Sequence, residues 1–289
     1  MLADSRILYF HEQVQPTKRI LMKLFRFQKG YSPFVISNPH SGVFIPPEIG
    51  EQMTEEGLRK TDTDWFLTRL YDLPAIESGA MISANTSRYV ADLNRSADDL
   101  ALYPGQVSTG ICPSLTFRGD AIYKPGQEPD ETEKHKRIEH YWKPYHDQLE
   151  SELQRLIEKF GFVVLLDVHS IKQQVPRLFE GNLPDFNFGT NHGQSCGAAF
   201  QELIEDFAES IDDYSHVVNE RFVGGYITRH YGSIENVHAV QLELNRSTYM
   251  DEATLDWDFD KSVDVIPVIE RFVVTLMKWA ERQLGKKTS

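Results

Sequence analysis

Short apolar runs that end in polar residues recur along the chain and predict buried β-strands. We predict such strands at 34–36, 88–93, 162–166 and 239–244. The run at 162–166 is apolar throughout and directly follows a helical segment, which is typical of a central strand covered on both faces. The run at 239–244 instead alternates, so one face should carry the polar row Gln241, Glu243 and Asn245 and border a cavity.

Apolar residues at helical spacing predict four helices. They cover 62–73, 131–160, 198–208 and a last segment from near Pro267 to just before Gly285. Pro144 should kink the second helix, and Gly161 should end it. The Gly- and Pro-rich stretches at 97–130 and 175–197 are predicted as loops, the first as a functional loop or lid.

Strands that alternate with helices predict an α/β fold with a mixed, mostly parallel sheet and helices on both faces. We expect a single domain over 1–289, with residues 1–30 as a peripheral N-terminal arm. In such folds ligands bind outside the carboxyl ends of the strands. Residues that follow the predicted strands are therefore the first candidates for chemistry.

Composition narrows the class of protein. The formal charge of −13 argues against nucleic acid as a partner, and an anionic substrate would need local positive charge from arginines or a metal. Two cysteines, Cys112 and Cys196, are too few for a disulfide framework. No apolar run reaches the ~18 residues of a membrane span. We expect a cytoplasmic protein with a small-molecule substrate and no membrane partner, and leave its oligomeric state open.

Two histidines at strand ends suggest a metal site. His40 and His169 each follow an apolar run, and a hydrolytic zinc site needs three protein ligands and an open position. Asp64 is the preferred third ligand, with Asp62 as the alternative, and Asp167 could orient an imidazole from outside. The competing interpretation is that the histidines are hydrogen-bonded structural residues and that the two aspartates near 62–64 cap a helix.

Hydrolysis also needs a general base and a means of holding the substrate. Glu243 is the candidate base, although it could instead form an internal salt bridge with Arg246. Arg88 and Arg95 flank one predicted strand and could each bind a carboxylate, or could pair with Asp92 or a surface acid. Arg229 and His230, after the segment 224–228, form another candidate anchor.

At these residues the chain resembles the N-formylglutamate amidohydrolase (N-formylglutamate deformylase) family from about 34 to 252. The matching stretches are Pro39-His40-Ser41-Gly42, Asp62-Thr63-Asp64-Trp65, Asp92-Leu93-Asn94-Arg95, Tyr141-Trp142-Lys143-Pro144-Tyr145-His146, Asp167-Val168-His169-Ser170, Leu183-Pro184-Asp185, the run 224–232 and Gln241-Leu242-Glu243-Leu244. Single motifs of four residues are weak, but this many in one order are specific.

The resemblance implies hydrolysis of N-formyl-L-glutamate to formate and glutamate, the last step of one histidine-degradation route. It also implies a fold similar to zinc carboxypeptidases and aspartoacylases, whose Asn-Arg pair holds a substrate carboxylate, as Asn94 and Arg95 would here. On this interpretation His40, Asp64 and His169 hold one zinc ion, and Glu243 is the base. Arg88 joins Arg95 in holding the substrate, and the metal polarises the formyl oxygen with help from an arginine or His230.

The chain departs from that pattern at two points. The relatives take two ligands from His-x-x-Glu, but the fourth residue from His40 is Val43, so the carboxylate must come from elsewhere. Arg246 is not expected in the deformylases and could shift the preference among N-acyl acidic amino acids. The alternatives are a hydrolase of another N-acyl acidic amino acid, or an inactive binding protein on the same fold.

Overall fold

The computed structural model describes residues 23–100 and 109–286, which contain one seven-stranded mixed sheet. Its strands are β1 (Phe25–Gln28), β2 (Phe34–Asn38), β3 (Ala80–Ala84), β4 (Val163–Ile171), β5 (Phe186–Gly189), β6 (His216–Val218) and β7 (Val237–Asn245), in the order β1-β3-β2-β4-β7-β5-β6. The β1/β3 and β5/β7 pairs are antiparallel, and the other neighbours are parallel. This confirms the predicted mixed, mostly parallel sheet.

Helices cover both faces of the sheet. They are α1 (Pro47–Gly50), α2 (Glu55–Arg59), α3 (Leu67–Leu70), α4 (Glu131–Arg137), α5 (Lys143–Phe160), α6 (Ala198–Glu209), α7 (Tyr226–Gly232) and α8 (Phe259–Lys286), with single 3₁₀ turns at Pro74–Ile76 and Arg246–Thr248. One core packs the β4 and β7 residues Leu166 and Leu242 against α6 and α8. The opposite core packs Leu165 and Ala239 against α5 and α7. No helix of these described residues is long and apolar enough to cross a membrane.

The long helix predicted at 131–160 is present, with an irregular turn where Pro144 enters. Residues Ile138–Trp142 form a π-helical turn between α4 and α5. Proline has no N–H and its ring presses on the carbonyl four residues earlier, so a wider turn just before Pro144 relieves that contact. Gly161 ends the helix in the left-handed region with φ of 79°, as predicted.

The segment 88–93 is not a strand, and the prediction is wrong there. Arg88 Nη2 donates to Asp92 Oδ2 at 2.7 Å although the two residues are four positions apart in the chain. In a strand the two residues would lie about 13 Å apart, so the ion pair requires a turn. Val90 N donates to Ser87 O within that turn.

The helix predicted at 62–73 is much shorter than expected and comprises only α3. Phe66 precedes it in the left-handed region with φ of 62°, which separates Asp62 and Asp64 from the helix. Asp64 N instead donates to His40 O at 3.0 Å. The Asp64 backbone is therefore tied to the loop that carries His40.

The last helix begins at Phe259, eight residues before Pro267, so its predicted start is wrong. Asp258 Oδ1 accepts from Lys261 N at 3.1 Å and caps the first turn. Pro267 leaves the carbonyl of Val263 without a helical donor, but Val263 is exposed and water can supply one. The helix also continues through Gly285.

Four strands were not predicted. β5 lies within the loop expected at 175–197, and β3 and β6 are short segments without a clear apolar run. β1 lies within the arm predicted for 1–30 and pairs with β3 at the sheet edge, while residues 1–22 of that arm lie outside the described residues. Residues 101–108 of the loop predicted at 97–130 also lie outside them.

A buried histidine on α5 should make stability fall in mild acid. Burial lowers the pKa of His146 to about 3. The same side chain titrates near 6.5 when unfolded, so between these pH values the unfolded chain binds a proton that the folded chain does not. The free energy of unfolding should therefore fall as the pH drops from about 6.5 towards 3.

His146→Gln should remove this part of the pH dependence of the free energy of unfolding. Between pH 7 and pH 5 the wild type should lose about 2 kcal/mol more unfolding free energy than the variant. Urea unfolding followed by circular dichroism at both pH values measures the difference. Equal losses in the two proteins would contradict the assignment.

Candidate active site

The polar residues of the site lie where two neighbouring strands change from apolar to polar. On the α5/α7 face, Leu165 of β4 is followed by Asp167 and His169, and Ala239 of β7 is followed by Gln241 and Glu243. The parallel register pairs Asp167 with Gln241 and His169 with Glu243. The two strands therefore become polar at the same register position, at the carboxyl edge of the sheet where the sequence predicts the site.

His40, Asp64 and His169 come together as one buried group. One ligand atom from each lies within 4.8 Å of the others. His169 Nδ1 is 3.1 Å from His40 Nδ1 and 3.3 Å from Asp64 Oδ2. Asp64 is thus the carboxylate that joins the two histidines, as preferred from the sequence.

A carboxylate contacts the Nε2 atom of each imidazole and so orients the ring, with Nδ1 turned towards the other histidine. His40 Nε2 donates to Asp92 Oδ1 at 2.7 Å, and His169 Nε2 lies 3.0 Å from Asp167 Oδ2. A carboxylate only accepts, so these contacts favour protons on both Nε2 atoms and leave the Nδ1 lone pairs facing each other beside Asp64. Converging lone pairs of this kind are stabilised by a cation between them, either a proton or a metal ion.

The pKa shifts of Asp64 and His169 agree with a cation at this position. Burial alone would raise the pKa of Asp64, but hydrogen bonds with His169 and His40 hold it well below its usual range. Burial would lower the pKa of His169, but Asp167 and Asp64 raise it well above 6.5. The ionised carboxylate of Asp64 therefore stabilises positive charge on the His169 imidazole.

Two buried arginines hold the outer oxygen of Asp64. Arg88 Nη1 lies 3.6 Å and Arg246 Nη2 lies 3.8 Å from Asp64 Oδ1. Arg246 also donates to the carbonyls of Thr61 and Ser170. Asp64 therefore presents Oδ2 to the histidines while its other oxygen faces the arginines.

Asp62, the alternative ligand, points elsewhere. Its Oδ2 accepts from Tyr89 Oη and from Phe117 N, each at 2.8 Å. Burial raises its pKa. Asp62 therefore holds the loop at Phe117 and does not join the histidine group.

Glu243 lines the same cavity as His40, Asp64 and His169. Burial raises its pKa to about 8, with a further increase from the charge of Asp64 and opposing effects from His169 and Arg88. Within the described residues Glu243 forms no ion pair, so the predicted alternative of a salt bridge with Arg246 is not what the structure shows. Gln241 Nε2 donates to Glu243 Oε2 at 3.5 Å.

Asn94 and Arg95 line the same cavity as Glu243. Asn94 Oδ1 accepts from Ile227 N at 2.8 Å, and its Nδ2 lies 3.0 Å from His169 Nε2. Because an Nε2 that donates to Asp167 cannot also accept from the amide, this second approach is a close contact and not a hydrogen bond. A Cβ at Gly225 would overlap the Asn94 amide, so glycine is required there. Arg95 is half-buried, and its guanidinium donates from Nε to Thr109 O at 2.9 Å, from Nη1 to Asn94 O at 2.9 Å and from Nη2 to Thr109 Oγ1 at 3.2 Å.

The other three predicted site residues, Arg88, His230 and Arg229, either pair with other groups or lie outside the cavity. Arg88 borders the cavity but is committed to Asp92 and Asp64, so the alternative of pairing with Asp92 is the observed one and its expected role as a substrate anchor is not supported. His230 is exposed and stacks on Tyr226 at 4.9 Å, outside the cavity lining. Arg229 Nε donates to Gly224 O, and Arg229 also lies outside that lining. These positions do not support the roles predicted for His230 and Arg229.

Asp92 is the functional residue that sequence reasoning missed as a histidine partner. It accepts from His40 Nε2, Arg88 Nη2 and the backbone N of Asn94. The available signal was its place two residues before Asn94, in the motif that supplies the predicted carboxylate anchor. Because a strand was predicted at 88–93, the contact between Asp92 and His40 was not expected.

Asp92→Asn tests the orienting role. Loss of a carboxylate behind a ligating histidine is expected to weaken metal binding about 10- to 100-fold. Competition for zinc between the protein and a chromogenic chelator measures that affinity, with Asp120→Asn as an exposed control. Unchanged zinc affinity in Asp92→Asn would contradict the role.

The fold and the site together define an α/β protein with a buried candidate metal centre, and comparison with known proteins identifies its family. The model for the family described as N-formylglutamate amidohydrolase matches residues 32–250. The chain is 42% identical over 263 residues to the N-formylglutamate deformylase of Pseudomonas aeruginosa, covering 90% of this chain and 98% of that protein. It is 41% identical over 265 residues to the deformylase of Pseudomonas putida, with the same 90% and 98% coverage.

A solved structure shows the same fold. The N-formylglutamate amidohydrolase of Ralstonia eutropha JMP134 superposes with a TM-score of 0.74 at 23% identity, covering 91% of this chain and all of that one. The chain belongs to the N-formylglutamate amidohydrolase family.

Proposed function

We propose that this protein hydrolyses N-formyl-L-glutamate to formate and L-glutamate with the help of one divalent metal ion. The observation that carries the proposal is that His40, Asp64 and His169 converge in the cavity that also holds the buried carboxylate Glu243. The curated relatives named as N-formylglutamate deformylases support the substrate.

The donor set fits a metal ion. Two imidazole nitrogens and one carboxylate oxygen form a hydrolytic ligand set, and the carboxylates behind both histidines match the usual arrangement around such sites. These ligand types favour zinc. A divalent ion held by these three residues would act as a Lewis acid on the formyl oxygen and would favour the ionised form of Glu243.

Glu243 moves the proton in this proposal. Its carboxylate removes a proton from the attacking water and returns it to the amide nitrogen as the C–N bond breaks. A pKa raised by burial suits this exchange, because the group must both accept and release a proton near neutral pH. The atoms balance: one water is consumed, and formate and glutamate leave.

Arg95 and Asn94 hold a substrate carboxylate in this proposal. They provide a guanidinium and, next to His169, a side-chain amide among the residues that line the cavity, and the guanidinium keeps N–H groups beyond those that bond to Thr109 and Asn94. Arginine can grip a carboxylate through two parallel hydrogen bonds. The preference for an acidic N-acyl amino acid follows from this local positive charge in a chain whose formal charge is −13.

We assign the reaction to the last step of a histidine-degradation route in the cytoplasm. The family resemblance supports the route. The location is supported by the two free cysteines.

A panel of substrates tests the proposed function. Formate or acetate release is measured from N-formyl-L-glutamate, N-formyl-L-aspartate, N-acetyl-L-glutamate and N-formyl-L-leucine. We expect the highest kcat/KM on N-formyl-L-glutamate and a loss of at least 10²-fold on the leucine compound, which lacks the side-chain carboxylate. A higher kcat/KM on an acetyl substrate would overturn the formyl assignment, and no turnover of any substrate would indicate a binding protein.

A further inference from the structure

The motif at 141–146 is not used by the chemistry above, yet two of its side chains contact the substrate anchor. Trp142 Nε1 donates to the backbone O of Arg95 at 2.8 Å. His146 Nε2 lies 2.9 Å from the backbone O of Leu93. The two carbonyls flank Asn94, so one helix holds the chain on both sides of that residue.

The π-helical turn and the first turn of α5 place both rings beside residues 93–95. Trp142 is the last residue of the π-helical turn, and His146 lies one turn further on. Their rings stack with centroids 3.9 Å apart and planes at 28°. Wider turns of this kind often occur at functional sites.

The hydrogen-bonding role of His146 is fixed by its surroundings. Its ring is buried and neutral, because burial lowers the pKa of His146 to about 3. A carbonyl accepts only, so Nε2 carries the proton towards Leu93, and Nδ1 accepts from Tyr231 Oη at 2.9 Å. Tyr231 belongs to α7, the helix whose Ile227 N donates to Asn94 Oδ1.

We propose that Trp142 and His146 are positioning residues that hold the Asn94–Arg95 carboxylate anchor against the cavity. The inference rests on the proposed function, since it concerns the same anchor. Neither ring borders the cavity, so both act through the backbone carbonyls of Leu93 and Arg95. Their removal should therefore weaken substrate binding more than the chemical step.

Trp142→Phe is the main test, because it keeps an aromatic ring and removes only the N–H donor. We expect KM for N-formyl-L-glutamate to rise about tenfold, the equivalent of one neutral hydrogen bond, with kcat changed less than about threefold. The Kd for the product L-glutamate, measured by calorimetry on the zinc-loaded protein, should rise by the same factor.

A matched control and a double variant separate positioning from general stability. Trp279→Phe makes the same chemical change in the opposite core, where Trp279 packs on Phe200 and His238, and should leave KM unchanged. In an Arg95→Met background, Trp142→Phe should have little further effect on KM, because its target is already gone. His146→Gln, which retains a donor, should raise KM less than His146→Leu.

Three results would overturn the inference in an active wild-type enzyme. They are an unchanged KM and glutamate Kd in Trp142→Phe, an equal effect from Trp279→Phe, or full additivity with Arg95→Met. Absence of formate release by the wild type would instead remove the proposed function itself, so the two failures are distinguishable.

Discussion

Replacement of Glu243 by glutamine is expected to lower kcat for formate release roughly 10²- to 10⁴-fold, the range that general bases supply. Glutamine has nearly the same shape but cannot accept the proton of the attacking water. The substitution also removes a buried carboxylate whose pKa is raised by burial, so the free energy of unfolding should not fall. Zinc binding through His40, Asp64 and His169 should persist, since Glu243 is not in that group.

Glu152→Gln is the matched control. Glu152 is also a buried glutamate, but it accepts from Gly30 N at 2.8 Å and pairs with Arg155, away from the site. This variant should lose stability and keep kcat. A Glu243→Gln enzyme with more than a tenth of the wild-type kcat would show that another group accepts the proton.

Replacement of His169 by alanine is expected to remove both metal binding and activity. His169 supplies one of the three ligand atoms, and its loss also leaves Asp167 without its imidazole partner in a buried position. Formate release should fall at least 10³-fold, in line with loss of Lewis-acid catalysis. Metal content, measured by plasma emission after gel filtration, should fall from about one ion per chain to near zero.

His238→Ala provides the control for this experiment. His238 lies on β7, which pairs with β4, the strand of His169. Its Nδ1 accepts from Gly197 N at 3.0 Å, and its ring packs on Phe200. We expect a loss of stability with metal content and KM unchanged. A His169→Ala protein that retains one metal ion and a tenth of its activity would place the metal elsewhere.

The buried charges around the site are compatible with the proposed metal ion and anionic substrate in a protein of formal charge −13. Asp64 and Asp92 pair with buried Arg88, and Arg246 adds a second positive charge beside Asp64. Buried charges are stable only when they are paired, so these arginines allow two carboxylates to stay ionised behind the ligand atoms. Arg95 also lines the cavity, where the proposed function places the substrate carboxylate.

The sequence predicted those parts of the site that follow from strand periodicity. His169 and Glu243 sit at the polar ends of otherwise apolar rows, and this pattern is visible without coordinates. His40 follows directly from the short apolar strand before it. The carboxyl-edge rule then places all three at one edge of the sheet.

The parts that could not be predicted depend on contacts between distant segments. Asp64 reaches the histidines because its backbone bonds to His40 and because Phe66, in the left-handed region, separates it from helix α3. The short apolar run within 88–93 predicts a strand, because the sequence pattern does not reveal the ion pair between Arg88 and Asp92 that accompanies a turn. Short strands such as β5 depend on pairing with β7 rather than on their own sequence.

Zinc titration of metal-free protein, with formate release from N-formyl-L-glutamate measured at each step, tests the central claim most directly. Our account predicts negligible release without metal, a linear rise with added zinc, and saturation at one ion per chain. The same titration of His169→Ala should stay flat. Full formate release by protein shown to contain no metal, or no release at any zinc concentration, would contradict it.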